Sequence, residues 1–254
     1  MANDAEKVAD ARGDTMLSRV QTARQDEPKA RDGNQTLARG LRVFLAIVDA
    51  DHGMTVQQVG ELLGVHRSIA YRLLQTLGDY GLVARSKDGV YLPGPRLATL
   101  AGAYLPALRE AAAPIMQSLA DRLESTISIF VEQGSDAVMV AMVEPTTTTH
   151  HIAFRPGMRT PLDRGAAAYA LRTARPAAAD EPEKVAEARE NGFALSHGEV
   201  LPEAYGVAAL IPLAPDVPQA CLNLITYRGD IASTAGPDMR AAADEVGRAF
   251  SPST

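Results

Sequence analysis

Residues 62–83 read LLGVHRSIAYRLLQTLGDYGLV. On a helical wheel, Ile69, Ala70, Leu73 and Leu77 gather on one side. Arg67, Tyr71 and Gln75 run along the other at i, i+4 and i+8, flanked by Ser68 and Arg72. The spacing predicts a helix that packs by one face and offers the other to a partner. His66, on the buried side near the helix start, reads as a capping or packing residue.

The flanks complete a motif. Upstream, TVQQVGELLG predicts a short helix with Thr55 as N-cap and Gln58 closing a capping box. Val56, Val59, Leu62 and Leu63 supply its apolar face, and Gly64 suits a left-handed C-terminal residue. Further upstream, Leu37, Leu41, Phe44, Leu45 and Val48 form one stripe of an amphipathic helix. Downstream of the Gly81 stop, LVARSKDGVYL reads as two short strands joined by a turn at Asp88-Gly89. Helix, helix, tight turn, helix, hairpin is the order of a winged helix-turn-helix.

A helix of this kind fits the major groove of DNA. Arg67 can offer a bidentate donor pair to guanine, and Ser68 and Tyr71 can meet phosphate or base. Arg72 is aimed at a phosphate, and Gln75 extends the same face. On the wing, Arg85 and Lys87 lie close to the turn, where a phosphate or the minor groove is met. Thr55 and Gln57, at the start of the preceding helix, could anchor the DNA backbone. Any one of these residues is ordinary on a surface helix; the joint pattern points to DNA.

Composition agrees and narrows the rest. The 254 residues suffice for two modest domains, with ordinary hydrophobic (46%) and charged (22%) fractions. No run of eighteen apolar residues occurs, and the first residues, MANDAEKVADARGD, lack the apolar core of a secretory signal. The single cysteine, Cys221, excludes an internal disulfide and a multi-cysteine zinc site. A cytoplasmic location is expected. Charge is uneven: Gln35–Gly94 holds six basic against five acidic residues, and Pro95 onward thirteen against nineteen. An acidic chain with one weakly basic segment binds nucleic acid through a small surface or not at all.

Residues 1–34 show charges of both signs and no clear period, predicting a flexible arm with room for one short helix around Met16–Ala23. Residues 35–94 are the winged helix-turn-helix, 95–106 a linker helix and 107–254 a second domain. The linker helix carries Leu97, Leu100, Ala101 and Tyr104 as a candidate pairing stripe, with Pro106 as its break or kink. A second helix runs through Leu108, Ala112, Ile115, Leu119 and Leu123. A hairpin follows around Gly134-Ser135, and further strands are expected at His150–Arg155, Val207–Leu213 and Ala220–Tyr227. Helices are expected near Gly165–Arg172, Pro182–Asn191 and Pro237–Phe250. Strands mixed with helices predict an α+β domain with a mainly antiparallel sheet.

These residues resemble the IclR-type transcriptional regulators. LRVFLAIVDADHGMTVQQVGELLGVHRSIAYRLLQTLGDYGLVARSKDGVYLPGPRLATLA is similar to that family's DNA-binding domain nearly end to end, with YRLLQTL, YGLV and YLPGPRL as its specific marks. The likeness continues more weakly through PIMQSLADRLESTISIFVEQGSDAVMVAMVE, RPGMRTPLDRGAAAYAL, ENGFALSHGEV and CLNLITYRG. It implies a GAF-like C-terminal domain that binds a small effector, often aromatic or carboxylic. It also implies dimers or dimers of dimers on a pseudo-palindromic operator, and repression (less often activation) relieved by the effector. No enzymatic reaction, cofactor or metal is expected. Carried over by position, the effector residues are Ala166 and Ala167, Leu210, Asn223 and Ile225, with Cys221 on the same face as the last two. The loop with Ser196, Glu199 and Tyr205 closes the pocket. The chain departs from the family where Ala167-Ala168-Tyr169-Ala170 replaces a small-Gly-Lys-Ala run, and where Asn223 and Ile225 replace a polar pair. Fewer polar donors point to a less acidic ligand, or to a pocket that has lost one.

Two rivals remain. An enzyme would have to draw on His150, His151, Asp163 and His197, but adjacent strand histidines face opposite ways, and no HExxH, nucleophile elbow or phosphate loop occurs. A winged helix used for protein contacts would lack the steep salt dependence of DNA binding.

Overall fold

The structure, a computed structural model, describes residues 34–148, 152 and 157–250. The expected arm (1–34), but for Asn34, and the expected strand at His150–Arg155, but for Ile152, lie outside the described residues, as do His150 and His151 themselves. Ile152 belongs to no strand. The chain divides into two compact units, one ending at Leu105 and one beginning at Pro106.

The first unit opens with α1 (Gln35–Asp49), whose N-cap Asn34 accepts hydrogen bonds from the Thr36 and Leu37 amides at 3.0 and 3.1 Å. Strand β1 (Met54–Thr55) leads into α2 (Val56–Leu63), then α3 (Arg67–Asp79), β2 (Val83–Arg85), β3 (Val90–Pro93) and α4 (Arg96–Gly102). The capping box at Thr55 and Gln58 is closed in both directions. Gly64 takes the left-handed conformation (φ 61°) that ends α2 and turns the chain into α3. Val43, Ile47, Val56, Val59, Ala70, Leu74, Leu77, Val83 and Tyr91 form the core. The wing has a third strand that periodicity does not reveal: β1 pairs antiparallel with β3, Met54 opposite Tyr91. Two residues are too few to show an alternation.

The apolar stripe of α1 turns out differently from its reading as the helix's one apolar face. Val43 and Ile47 are buried, whereas Leu37 is 61% and Leu45 56% exposed, with Leu41 and Val48 exposed beside them. The helix carries apolar residues on two faces, and the core of this small unit covers only one. In α3 the buried ridge is Ala70, Leu74 and Leu77, with Leu73 half-buried and Ile69 exposed. That ridge is rotated from the expected one, so Ser68, Arg72 and Gln75 stand opposite it, and Arg67 and Tyr71 lie to one side.

The second unit begins with α5 (Pro106–Leu123), which buries Leu108, Ala112, Met116, Leu119, Ala120 and Leu123. Pro106 opens this helix, where its missing N–H costs nothing. Six antiparallel strands follow, β4 (Thr126–Gln133), β5 (Asp136–Val143), β6 (Arg159–Pro161), β7 (Ala194–His197), β8 (Tyr205–Ile211) and β9 (Ala220–Thr226). They form one sheet in the order β6-β5-β4-β9-β8-β7. Helices α6 (Ala166–Arg172), α7 (Glu183–Asn191), α8 (Gly229–Thr234) and α9 (Gly236–Phe250) complete the unit. Strands β6 and β7 and helix α8 went unpredicted because each is short and lacks a clean period. Helices α5 and α9 pack together, and α9 lies along β8 and β9. Helix α6 covers the other face over Phe130, Ala208 and Cys221. Among the described residues no helix is long and apolar enough to cross a membrane.

Candidate functional sites

The first site is the outer face of α3. The His66 ring caps the helix, its Nδ1 accepting from the Ser68 amide at 3.3 Å and lying 2.9 Å from Ser68 Oγ. His66 is thus a cap, as its position suggested. Arg67, Tyr71, Arg72 and Gln75 are all exposed, and among the described residues none of their side chains has a partner. Three expected contacts are otherwise engaged. Thr55 Oγ1 serves the capping box, accepting from the Gln58 amide at 3.3 Å. Gln57 Nε2 donates to Glu61 Oε1 one turn on at 3.0 Å, and Ser68 is tied to its cap. On the wing the Arg85 guanidinium rests 5.8 Å from the centre of the Tyr91 ring, while Lys87 is exposed near the turn. Of the cations expected at the DNA, Arg67, Arg72, Arg85 and Lys87 are all exposed, and Arg85 alone is steadied by a ring.

The second site is a pocket in the second unit, between the sheet, the start of α6 and the loop joining β7 to β8. It is a narrow cleft, partly open to solvent, with about 40 Å³ of interior free volume. Of the residues expected there, Ala166, Ala167, Ser196, Asn223 and Ile225 line it. Glu199 stands at the rim. It accepts hydrogen bonds from the Gly165 amide at 2.8 Å and the Tyr169 hydroxyl at 2.6 Å, and pairs with Lys184. Ser196 Oγ accepts from the Ala166 amide at 3.0 Å.

Tyr205, Leu210 and Cys221 do not line the pocket. Tyr205 faces away because Gly206 takes the pocket side of β8; its ring stacks on His197 at 4.0 Å. Leu210 lies at the far end of β8, opposite Cys221. Cys221 shares a sheet face with Asn223 and Ile225, but α6 covers it, and its Sγ donates to the Ala167 carbonyl at 3.6 Å. Burial pushes that thiol well above the usual range, so it is an inert packing group. The sequence reading missed Phe130, Met139, Met158, Thr160, Leu201 and Ala204, all of which line the pocket. The register of β4 on β9, with Phe130 opposite Cys221 and Ser128 opposite Asn223, carries the signal that would have found Phe130. That pairing joins residues far apart in the chain and has no local trace.

Burial and hydrogen bonding tune the rim. Burial, then the neighbouring Glu199, pushes the Tyr169 hydroxyl up to about 12. Burial alone would raise the Glu199 carboxyl, but hydrogen bonds from Lys184, Tyr169 and Gly165, with the Lys184 charge, hold it below its ordinary range. Lys184 also lies 5.6 Å from the Tyr169 ring centre. Tyr169 thus reaches the rim from the start of α6, and α7 supplies the lysine beside it. Asp163 pairs with Arg164, and among the described residues no group of His, Cys, Asp and Glu is arranged to hold a metal.

Comparison with known proteins bears on the first unit's helix-turn-helix and on the fold. Residues 36–87 match the model of the IclR helix-turn-helix domain. A curated relative, an HTH-type transcriptional regulator of Mycobacterium tuberculosis, is 29% identical over 122 residues, 47% of this chain and 47% of its own length. The chain spans about half the length of the curated relatives it matches. Among solved structures, an IclR-type transcriptional regulator of Alicyclobacillus acidocaldarius superposes with a TM-score of 0.72 at 20% identity, covering 86% of this chain and all of that one. An IclR homologue of Microbacterium hydrocarbonoxydans, complexed with 4-hydroxybenzoate, gives 0.70 at 20% identity, covering 85% of this chain and 98% of that one. At such identity the superpositions speak for the fold. The curated relatives are transcriptional regulators, not enzymes. The chain carries an IclR helix-turn-helix domain at residues 36–87 and has the fold of the IclR-type transcriptional regulators.

Proposed function

We propose that the chain regulates transcription by laying α3 in the major groove of an operator, with DNA affinity set by a small molecule bound in the second unit. The observation that carries the reading is the outer face of α3. Arg67, Tyr71, Arg72 and Gln75 stand exposed and unpartnered among the described residues, within a segment that matches the IclR helix-turn-helix. Long polar side chains with no intramolecular partner are free to reach phosphates and base edges. With Lys87 on the wing, this surface is a compact cationic patch on an acidic chain of net charge −6. Repression, relieved by the effector, is the sign of regulation we propose.

A pseudo-palindromic operator calls for two copies of α3 held in register. The exposed leucine stripe of α1 (Leu37, Leu41, Leu45) supports self-association, because a second copy would bury apolar surface that this unit leaves in water. Leu41→Glu should shift the sedimentation of the purified protein towards a smaller species. An unchanged profile would remove α1 from the pairing surface.

The deciding experiment is binding of the purified protein to DNA from upstream of its own gene, against random DNA, at two salt concentrations. Arg72→Ala should weaken binding to both DNAs and lower the salt slope by about one. Arg67→Ala should cost about tenfold on the specific sequence alone, within the range of one bidentate base contact. Equal, salt-insensitive binding to every DNA would overturn the reading and favour a winged helix that contacts protein.

A further inference from the structure

We infer that the pocket of the second unit takes an uncharged, mostly apolar small molecule bearing a hydroxyl or similar neutral hydrogen-bonding group, and not a carboxylate. This deepens the effector reading above and rests on it.

The first ground is that the chain itself uses the main-chain donors at the pocket mouth. The Gly165 amide donates to Glu199 and the Ala166 amide to Ser196 Oγ, so neither N–H is left for an incoming anion. The Glu199 carboxylate already fills this place and takes up the Lys184 charge, so that lysine is not left for a second carboxylate. Arg164 lines the mouth but is half exposed and held at 3.0 Å by Asp163, so an anion meeting it would stay largely in water.

The second ground is what the pocket leaves unsatisfied. Asn223 projects from β9 into the pocket and is only 7% exposed, yet among the described residues its carboxamide has no hydrogen-bond partner. Thr160, on β6, lines the same pocket at 5% exposure, and its hydroxyl is likewise unpartnered among the described residues. Buried polar groups without partners are costly and rare in folded proteins. Both are neutral, and both donate and accept. The other surfaces are apolar, among them Phe130, Met139, Met158 and Ile225. An apolar body with one neutral polar group would bury that lining and meet Asn223; an ionised group at that depth would lose its hydration with no buried cation to receive it, Arg164 being exposed at the mouth and paired with Asp163.

The test uses the full-length protein and two pairs of probes matched in size, 4-hydroxybenzamide with 4-hydroxybenzoate and 4-cresol with benzoate, titrated by calorimetry and followed by thermal shift. The uncharged member of each pair should bind at least about tenfold more tightly. Asn223→Leu should weaken 4-hydroxybenzamide by about tenfold, while leaving the melting temperature of the unliganded protein unchanged or raised, since an orphan polar group has been removed. A fall in that temperature with unchanged affinity would make Asn223 a structural residue and overturn the inference. So would carboxylates binding as well as their uncharged partners. If that binding were lost in Asn223→Leu, the pocket would stand and only the ligand class would fall. Failure of every probe at millimolar concentration would also overturn the inference, even if the same preparation still bound operator DNA with steep salt dependence. Probe binding without DNA binding would uphold the pocket and sink the DNA reading.

Discussion

The two candidate sites are built in opposite ways. The first is one helix: its working side chains lie within nine residues, Arg67 to Gln75, and point outward without support from their neighbours. The second gathers residues from Phe130 to Ile225 across strands, a helix start and a loop, and its key groups are buried or tied to one another. The difference teaches where each site is vulnerable. The helix face should lose function residue by residue while the fold survives. The pocket should fail through the contacts that hold its walls.

The largest effect should come from attacking the frame of the helix face rather than the face itself. Leu74 is fully buried beneath α3. Leu74→Ala should cost about 2–5 kcal/mol, within the range for a large-to-small core change. Calorimetry should then show melting of the first unit brought down and that of the second unmoved, with DNA binding lost. Equal lowering of both would break the comparison, since the two units would not be independent frames.

Gly165 is the corresponding point of the pocket. Its φ is +87°, and an added Cβ would lie 2.7 Å from Val200 Cγ2, so the loop approaches α6 only because no side chain stands there. Gly165→Ala should cost about 1–3 kcal/mol in the melting of the second unit and loosen the Glu199 contact, while DNA affinity without effector stays near its original value. Unchanged stability would mean that the loop yields freely and the mouth is not held in this way.

A smaller effect should sharpen the account of the rim. Tyr169 has a folded pKa of about 12 against an ordinary value of 10.0, so its neutral hydroxyl is favoured by folding. That contribution is complete below pH 10 and is lost as pH rises towards 12. Tyr169→Phe should remove this alkaline decline and cost about 1.5 kcal/mol at neutral pH, the low end for one hydrogen bond to a charged acceptor at a partly exposed rim. Glu199 runs the opposite way: its pKa is lowered, so its contribution holds above the ordinary carboxylate range and fades as acid protonates it below that range. A wild-type stability curve flat between pH 10 and 12 would detach Tyr169 from the rim.

The helices of the first unit, the capping box at Thr55 and Gln58, the left-handed Gly64, the His66 cap and the exposed polar run from Arg67 to Gln75 are all legible in the sequence. These are local properties, written by spacings of three and four residues and by single capping groups. The sequence also showed that α1 is amphipathic, but not which apolar stripe the core would take. Only packing chose Val43 and Ile47 over Leu41 and Leu45, because the choice depends on the surfaces that α3 and β3 bring to it. In the second unit, alternation placed Asn223 and Ile225 on one face with Cys221. Only the fold laid α6 over Cys221, left the Asn223 carboxamide unpartnered among the described residues and brought Glu199 to the Gly165 amide across 34 residues. Such contacts follow from strand register and loop closure between distant segments, and no short window of sequence carries that information.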